Sequence, residues 1–160
     1  MVSQILIFNQ ISMIESLSQG SFFICNGGAV SCKSSKQSVT ADSTTEAEYI
    51  AASDAAKEAI WIQKFASQLG VVPSVESPIP LFCDNNGAIA LAKEPRSHQK
   101  SKHIERCYHI IRELVGKGDV IVQKVASADN VADPLTKAMT QLQLDGHLEK
   151  MGLRYCSDWL

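Results

Sequence analysis

Residues 80–93 read Pro-Leu-Phe-Cys-Asp-Asn-Asn-Gly-Ala-Ile-Ala-Leu-Ala-Lys, an apolar run that passes directly into a helical pattern. The run Pro80 to Cys83 predicts a short strand, and Asn85 to Lys93 predicts a helix that Pro95 ends. Asp84 therefore stands at the carboxyl end of a strand, where open α/β sheets collect functional side chains. An aspartate that only caps the following helix explains the same position equally well.

Strands and helices alternate on both sides of this stretch. Ser43 to Leu69 is the clearest helix, because alanines and larger apolar residues recur at helical spacing and Ser43 with Glu46 forms a capping-box pattern. An opening hairpin followed by strands separated by helices predicts an α/β fold, a mixed sheet with helices on its faces. The other predicted elements are a strand near 5–8, hairpin strands at 21–25 and 29–32, a helix at 104–115 ended by Gly116 and Gly118, a strand at 120–125, a helix at 130–138 capped by Asp129, and a helix at 142–151.

Composition limits the classes of protein to which the chain can belong. Its 160 residues, 45% hydrophobic and 20% charged, suit one globular domain and exclude a disordered or collagen-like chain. No apolar run is long enough to span a bilayer, and no basic residue precedes the first apolar run, so we expect an intracellular protein of the cytoplasm or nucleus. Five widely spaced cysteines without a Cys-x-x-Cys pair predict buried free thiols.

Positive charge is concentrated in one quarter of the chain, although the net charge is −2. Between Lys93 and Lys117 there are seven basic and three acidic residues, together with three of the four histidines. A solvated helix face is the ordinary explanation of such a run. A surface that contacts phosphates is the alternative, and it gains weight if an acidic metal site lies elsewhere in the same domain.

Three carboxylates stand at positions where such a site could form. Glu48 lies near the start of the alanine-rich helix, Asp84 at a strand end, and Asp133 at a later helix start before Pro134. Each position alone is explained by helix capping or the helix dipole. Together, however, they form a set of oxygen ligands of the kind that holds Mg²⁺, and two such ions can assist phosphodiester cleavage.

Four blocks of sequence resemble the ribonuclease H domain of copia-type, plant-like retrotransposon Pol polyproteins, in the same order and spacing. The resemblance extends from about Gly20 to Gly152. The blocks are Ser34-Ser35-Lys36-Gln37-Ser38 continued by Ser43-Thr44-Thr45-Glu46-Ala47-Glu48-Tyr49-Ile50-Ala51-Ala52; Leu81 to Leu91; Lys102 to Glu113; and Asn130 to Lys137.

This resemblance implies a ribonuclease H-like fold, with a five-stranded mixed sheet flanked by helices. It implies cleavage of the RNA strand of RNA–DNA hybrids with two Mg²⁺ or Mn²⁺ ions, in a domain normally fused to reverse transcriptase. Glu48, Asp84 and Asp133 match the catalytic, metal-binding carboxylates, with Glu46 as the alternative to Glu48. The residues expected to contact nucleic acid are Lys93, Arg96, Lys100, Lys102, His103, Arg106, His109 and Arg112.

The chain departs from the family pattern at its N-terminus. Family members carry a further catalytic aspartate in the first strand, which counting back from the hairpin places near Ile5, but the only acid before Asp42 is Glu15. We therefore expect a truncated relative in which 1–19 is a divergent segment, 20–152 the ribonuclease H-like domain and 153–160 a tail. Its nuclease activity is expected to be impaired or lost, and the alternative function is a non-catalytic module that binds nucleic acid or protein. A second departure is Cys32, where the family usually has Trp.

Overall fold

A five-stranded mixed sheet forms the centre of the molecule, as the sequence predicts. The computed structural model describes residues 5–11, 18–25, 27–37, 39–69, 78–94 and 109–153. The strands lie in the order β3-β2-β1-β4-β5; β1, β2 and β3 are antiparallel neighbours, whereas β4 runs parallel to both β1 and β5. The strands are β1 (Ile5–Ile11), β2 (Ser18–Cys25), β3 (Gly28–Lys36), β4 (Ile79–Cys83) and β5 (Val120–Lys124).

Helices cover both faces of this sheet. On one face the long α1 and the short α2 and α3 pack around buried Phe23, Leu81 and Val122. On the other face Phe22 and Ile24 of β2 meet a second cluster that includes Val131, Ala132 and Met151. The helices are α1 (Thr44–Leu69), α2 (Asn86–Lys93), α3 (Ile110–Lys117) and α4 (Gln141–Lys150).

Small side chains let α1 lie close to the sheet. Ala52, Ala55, Ala56 and Ala59 are almost fully buried against the strands, so the axis of α1 approaches them closely. The start of the helix differs in one detail from the predicted capping box. The Ser43 hydroxyl accepts the Glu46 N–H as predicted, but the Glu46 carboxylate accepts the N–H of Asp42.

The segment predicted as a helix from Asn130 to Ala138 is not one. It contains one 3-10 turn, Asp133–Leu135, and another, Ser127–Asp129, directly precedes it. The Asn130 side chain accepts the Ala132 N–H, a local hydrogen bond that competes with helix formation. The predicted cap Asp129 instead accepts a hydrogen bond from Lys150 of α4 at 2.7 Å.

The remaining boundaries agree with the predictions to within a few residues wherever the chain is described. α3 continues through Gly116 and ends at Gly118, whose φ of 78° closes the helix in the left-handed region. Cys32, expected to be buried, is exposed on β3. The predicted stops Gly70, Pro73 and Pro95 lie outside the described residues, as does the start of the helix predicted at 104–115. No helix in the described part of the chain is long and apolar enough to cross a membrane.

Candidate active site

Two of the three predicted carboxylates meet at the end of β4. Glu48 lies on the second turn of α1 and is 7% exposed, and Asp84 directly follows β4. One donor atom each from Glu48, Cys83 and Asp84 lies within 4.8 Å of the other two. The close approach of α1 to the sheet therefore brings a helix carboxylate over a strand end, as the alanines predict.

Asp84 is not the cap of α2. That role belongs to Asn85, whose side-chain oxygen accepts the Ala88 N–H at 3.1 Å. The Asp84 carboxylate instead accepts a hydrogen bond from the Ser127 hydroxyl at 2.8 Å, and the Lys124 ammonium donates to its backbone carbonyl. The capping explanation of Asp84 is thus wrong, and the carboxylate contacts the turn that follows β5.

Asp133 belongs to the same region but stands outside the tight group. It is 8% exposed and forms an ion pair with Lys137 at 3.1 Å. Burial raises the pKa of the Asp133 carboxyl; the Lys137 ammonium opposes this rise, while the negative charge of Asp84 adds to it.

Cys83 is the member of the site that the sequence did not single out. Its side chain is 2% exposed, and its Sγ lies 3.9 Å from Oε2 of Glu48. Burial raises the pKa of the Cys83 thiol to about 12; the Asn85 N–H that donates to Sγ opposes the rise, and the neighbouring carboxylates increase it. The thiol is therefore neutral at physiological pH.

Glu46, the alternative to Glu48, has a local role. Its carboxylate accepts the Asp42 N–H at 2.9 Å and so closes the turn that leads into α1. It is absent from the group of donor atoms around Cys83. Glu48 therefore stays the candidate ligand on this helix.

The register of β1 identifies which of its residues stands nearest the site. β1 runs parallel to β4 with Phe8 beside Phe82. Continuing this backbone register by one residue along both strands puts Asn9 of β1 beside Cys83 of β4. Ile5, the position reached by counting back from the hairpin, lies four residues earlier, about 13 Å away along the strand. The residue of β1 that this backbone register puts beside Cys83 is thus an asparagine, and β1 contains no acidic residue.

Of the residues predicted to contact nucleic acid, the structure describes three, which are an exposed lysine and two groups in structural contacts. Lys93 is exposed at the end of α2. His109 Nδ1 lies 3.0 Å from the Tyr49 hydroxyl, and the Arg112 guanidinium stacks over the Tyr49 ring and donates to the Leu91 carbonyl. The predicted contact residues Arg96, Lys100, Lys102, His103 and Arg106 lie outside the described residues.

Comparison with known proteins finds relatives among transposon polyproteins. The chain is 39% identical over 136 residues to the retrovirus-related Pol polyprotein from transposon TNT 1-94 of Nicotiana tabacum, a match that covers 85% of this chain and 10% of that protein. It is 35% identical over 124 residues to the Pol polyproteins from transposons RE2 and RE1 of Arabidopsis thaliana, covering 78% of this chain. The chain spans about a tenth or less of the length of these relatives. No protein-family model matches it.

The fold also has a counterpart among solved structures. The crystal structure of RNase H1 from the halophilic archaeon Halobacterium salinarum NRC-1 superposes with a TM-score of 0.52, covering 82% of this chain and 93% of that one. The sequences are 18% identical, so the likeness concerns the fold.

Proposed function

Because the chain belongs to the ribonuclease H domains of retrovirus-related Pol polyproteins from plant copia-type transposons, we propose that it binds RNA–DNA hybrids and a divalent cation but cleaves weakly or not at all. The observation that carries this proposal is the meeting of Glu48 and Asp84 at the end of β4. The alternative is a non-catalytic module that binds nucleic acid or protein.

The donor set fits one hard cation. Mg²⁺ and Mn²⁺ favour carboxylate oxygens, and Mg²⁺ in particular keeps several waters, so Glu48 and Asp84 with solvent suffice for weak binding. Asp133 would join them as a further ligand once its carboxylate turns from the Lys137 ammonium. An ion held there would supply Lewis-acid chemistry, which in this family role would activate a water and stabilise charge on the phosphodiester.

The chain's own residues hold this site in place. Ser127 donates to the Asp84 carboxylate and restricts its orientation, while the close packing of α1 positions Glu48. Lys137 neutralises Asp133 in the metal-free protein, which lowers the repulsion between Asp133 and Asp84. A cation that takes both carboxylates would replace this function of Lys137.

The missing carboxylate on β1 is the reason for proposing impaired cleavage. β1 reads Ile-Leu-Ile-Phe-Asn-Gln-Ile from Ile5 to Ile11 and contains no acid. The family resemblance implies an aspartate in this strand that bridges two ions. Because β1 contains no acid, the charge that would hold the second ion is absent from this strand.

Nucleic-acid binding rests on the basic segment between Lys93 and Lys117. Its excess of positive charge suits a phosphate backbone, and exposed Lys93 lies at the end of α2, the helix that follows Asp84. This arrangement would bring a bound duplex towards the carboxylates, and it serves the binding-module alternative equally well.

The metal site is tested by thermal unfolding with and without Mg²⁺. We expect Mg²⁺ to raise the Tm of the wild type, because ligands that bind only the folded state stabilise it. Asp84→Asn should abolish this rise, whereas Asp54→Asn, which changes a carboxylate on α1 paired with Lys57, should preserve it. An equal Mg²⁺-dependent rise in Asp84→Asn would contradict the proposed site.

A further inference from the structure

A groove of about 420 Å³ lies between α4 and the loop that precedes this helix. Its lining joins two lysines and a histidine to apolar side chains, and it includes Lys137, Met139, Leu142, His147 and Lys150. Pockets of about 300–1,000 Å³ are the usual size for small organic ligands. We propose that this groove binds a nucleoside phosphate, with the phosphate on its cationic wall and the base on its apolar wall.

The cationic wall carries an excess of positive charge. Lys137 and Lys150 contribute two ammonium groups, and Asp133 is the one acidic residue among the described residues of the lining. The Lys150–Asp129 ion pair, at 2.7 Å, is exposed at both side chains, so it contributes little and a phosphate can compete for this ammonium. Lys137 donates to both Asp133 oxygens at 3.1 Å, and its third N–H can donate to a ligand.

His147 provides an observation that is independent of the lysines. The residue is 8% exposed and lines the groove, and its Nδ1 has no hydrogen-bond partner in the described part of the chain. A buried polar atom without a partner is unusual, because it has lost its hydrogen bond to water and gained none. With its proton on Nδ1, the imidazole can donate to a phosphate oxygen that the lysines hold.

The apolar wall distinguishes a nucleoside phosphate from inorganic phosphate. Leu142 is 84% exposed, and Ala138 and Met139 line the groove with it. Inorganic phosphate would leave these side chains in water, whereas a flat nucleobase would cover them and gain hydrophobic contact. The groove therefore suits a ligand that joins an anionic group to a flat, largely apolar one.

The groove lies beside the carboxylates at the end of β4 but does not depend on them. Asp133 and Ser127 line it, and the Ser127 hydroxyl donates to Asp84. The choice of a nucleoside phosphate over other phosphorylated compounds rests on the proposed function, because a strand bound at Asp84 would extend towards the groove. Its source is either a free nucleotide or a nucleotide within a strand.

Calorimetric titration with adenosine monophosphate in EDTA tests the proposal. We expect binding to the wild type, and Lys150→Gln should weaken it by about tenfold, because a hydrogen bond between charged groups is lost. Lys150→Arg keeps the charge and should recover most of the affinity. Lys57→Gln is the matched control, since it removes a lysine that is also ion-paired but lies on α1, and it should bind as the wild type does. His147→Gln, shown to be folded by circular dichroism, should weaken binding as well.

Two further titrations identify the ligand. Leu142→Ala should weaken binding of adenosine monophosphate by at least about threefold and leave the affinity for inorganic phosphate unchanged, because it shortens the apolar wall alone. A short single-stranded oligoadenylate separates the two sources. Tighter binding of the oligoadenylate than of the mononucleotide, with the same loss in Lys150→Gln, identifies a nucleotide within a strand, whereas equal affinities identify a free nucleotide.

Three outcomes would overturn the proposal. These are no binding of either adenylate by the wild type, equal weakening by Lys150→Gln and Lys57→Gln, and adenosine monophosphate bound no more tightly than inorganic phosphate. Because EDTA removes divalent cations, this result is independent of the Mg²⁺-dependent rise in Tm, and failure of the groove is distinguishable from failure of the metal site.

Discussion

Asn9→Asp should lower the stability of the metal-free protein, and Mg²⁺ should restore what is lost. The backbone register of β1 with β4 puts this residue beside Cys83, whose Sγ lies 3.9 Å from Oε2 of Glu48. We expect a carboxylate introduced at this position to interact with Glu48 and Asp84 at the end of β4. Without a cation it adds repulsion, and with one it adds a ligand.

The size of the effect follows from the spacing of the strands. Neighbouring strands lie about 4.8 Å apart, and two unit charges at about 5 Å interact by about 3 kcal/mol at an effective dielectric constant near 20. Allowing for solvent at the half-buried Asp84, we expect the metal-free variant to lose about 2 kcal/mol. For a domain of this length that corresponds to a Tm about 4–8 °C lower. Saturating Mg²⁺ should restore this loss, because the divalent charge attracts each carboxylate.

Thermal unfolding in EDTA and in millimolar Mg²⁺ measures both halves of the prediction. Asn9→Ala is the matched control, since it removes the amide without adding charge and should respond to Mg²⁺ as the wild type does. Ile5→Asp places the carboxylate where counting back from the hairpin would put it. A Mg²⁺ response in Asn9→Asp no larger than in the wild type, or a gain found only in Ile5→Asp, would refute the register argument.

Three further predictions concern packing, hydrogen bonding and charge. Gly87→Ala should lower stability by about 1–3 kcal/mol, because its Cβ would lie 2.8 Å from the Thr45 side chain; Thr45→Ala in the same chain should recover most of the loss in denaturant unfolding. Tyr49→Phe should cost about 1 kcal/mol by removing the hydrogen bond to His109. Burial raises the pKa of Tyr49, so stability should fall as the pH rises above about 10 in the wild type, and a pH titration of unfolding should show this fall reduced in the variant. Lys93→Gln should lower the slope of log affinity for an RNA–DNA hybrid against log salt by about 0.7–0.9, measured by fluorescence anisotropy; an unchanged slope would remove Lys93 from the interface.

The parts of the fold that local patterns control were predictable. The apolar run before Asp84 and the alanine repeat after Ser43 each determine an element through their own spacing and caps, and the structure reproduces both. The helix predicted at 130–138 failed because the Asn130 side chain binds the nearby backbone. The spacing of hydrophobic residues carries no information about a side chain that competes for backbone hydrogen bonds.

The site was predictable in its residue types and not in its contacts. Glu48 and Asp84 meet as the topology implies, but the Ser127 hydrogen bond to Asp84 and the Lys137 ion pair with Asp133 depend on loop conformations. The sequence predicted Cys83 only as one of five buried thiols. Its contact with Glu48 could not be predicted, because 35 positions of sequence separate the two residues. The immediate sequence Cys83-Asp84 at a strand end was the one signal that could have identified it.

The register of β1 against β4 could not be predicted from the sequence, as the position of Asn9 illustrates. Counting residues across the connection between β1 and β2 assumes the length of connection that the family usually has. In this chain six residues, 12–17, separate the two strands. The backbone register of β1 with β4 then puts Asn9, which is four residues beyond Ile5, beside Cys83. A change in loop length moves every residue of the strand relative to the site, and no local pattern within β1 records that shift.

Cleavage of a labelled RNA–DNA hybrid in Mg²⁺, then in Mn²⁺, tests most directly the claim that this ribonuclease H-like domain lacks the charge needed for turnover. The wild type would be compared with Asp84→Asn, both shown to be folded by circular dichroism. We expect no product from Asp84→Asn and, from the wild type, at most a small fraction of the product that an intact ribonuclease H forms under the same conditions. Cleavage by the wild type as fast as by the intact enzyme, and lost in Asp84→Asn, would contradict the account, because the carboxylates present would then suffice for full catalysis.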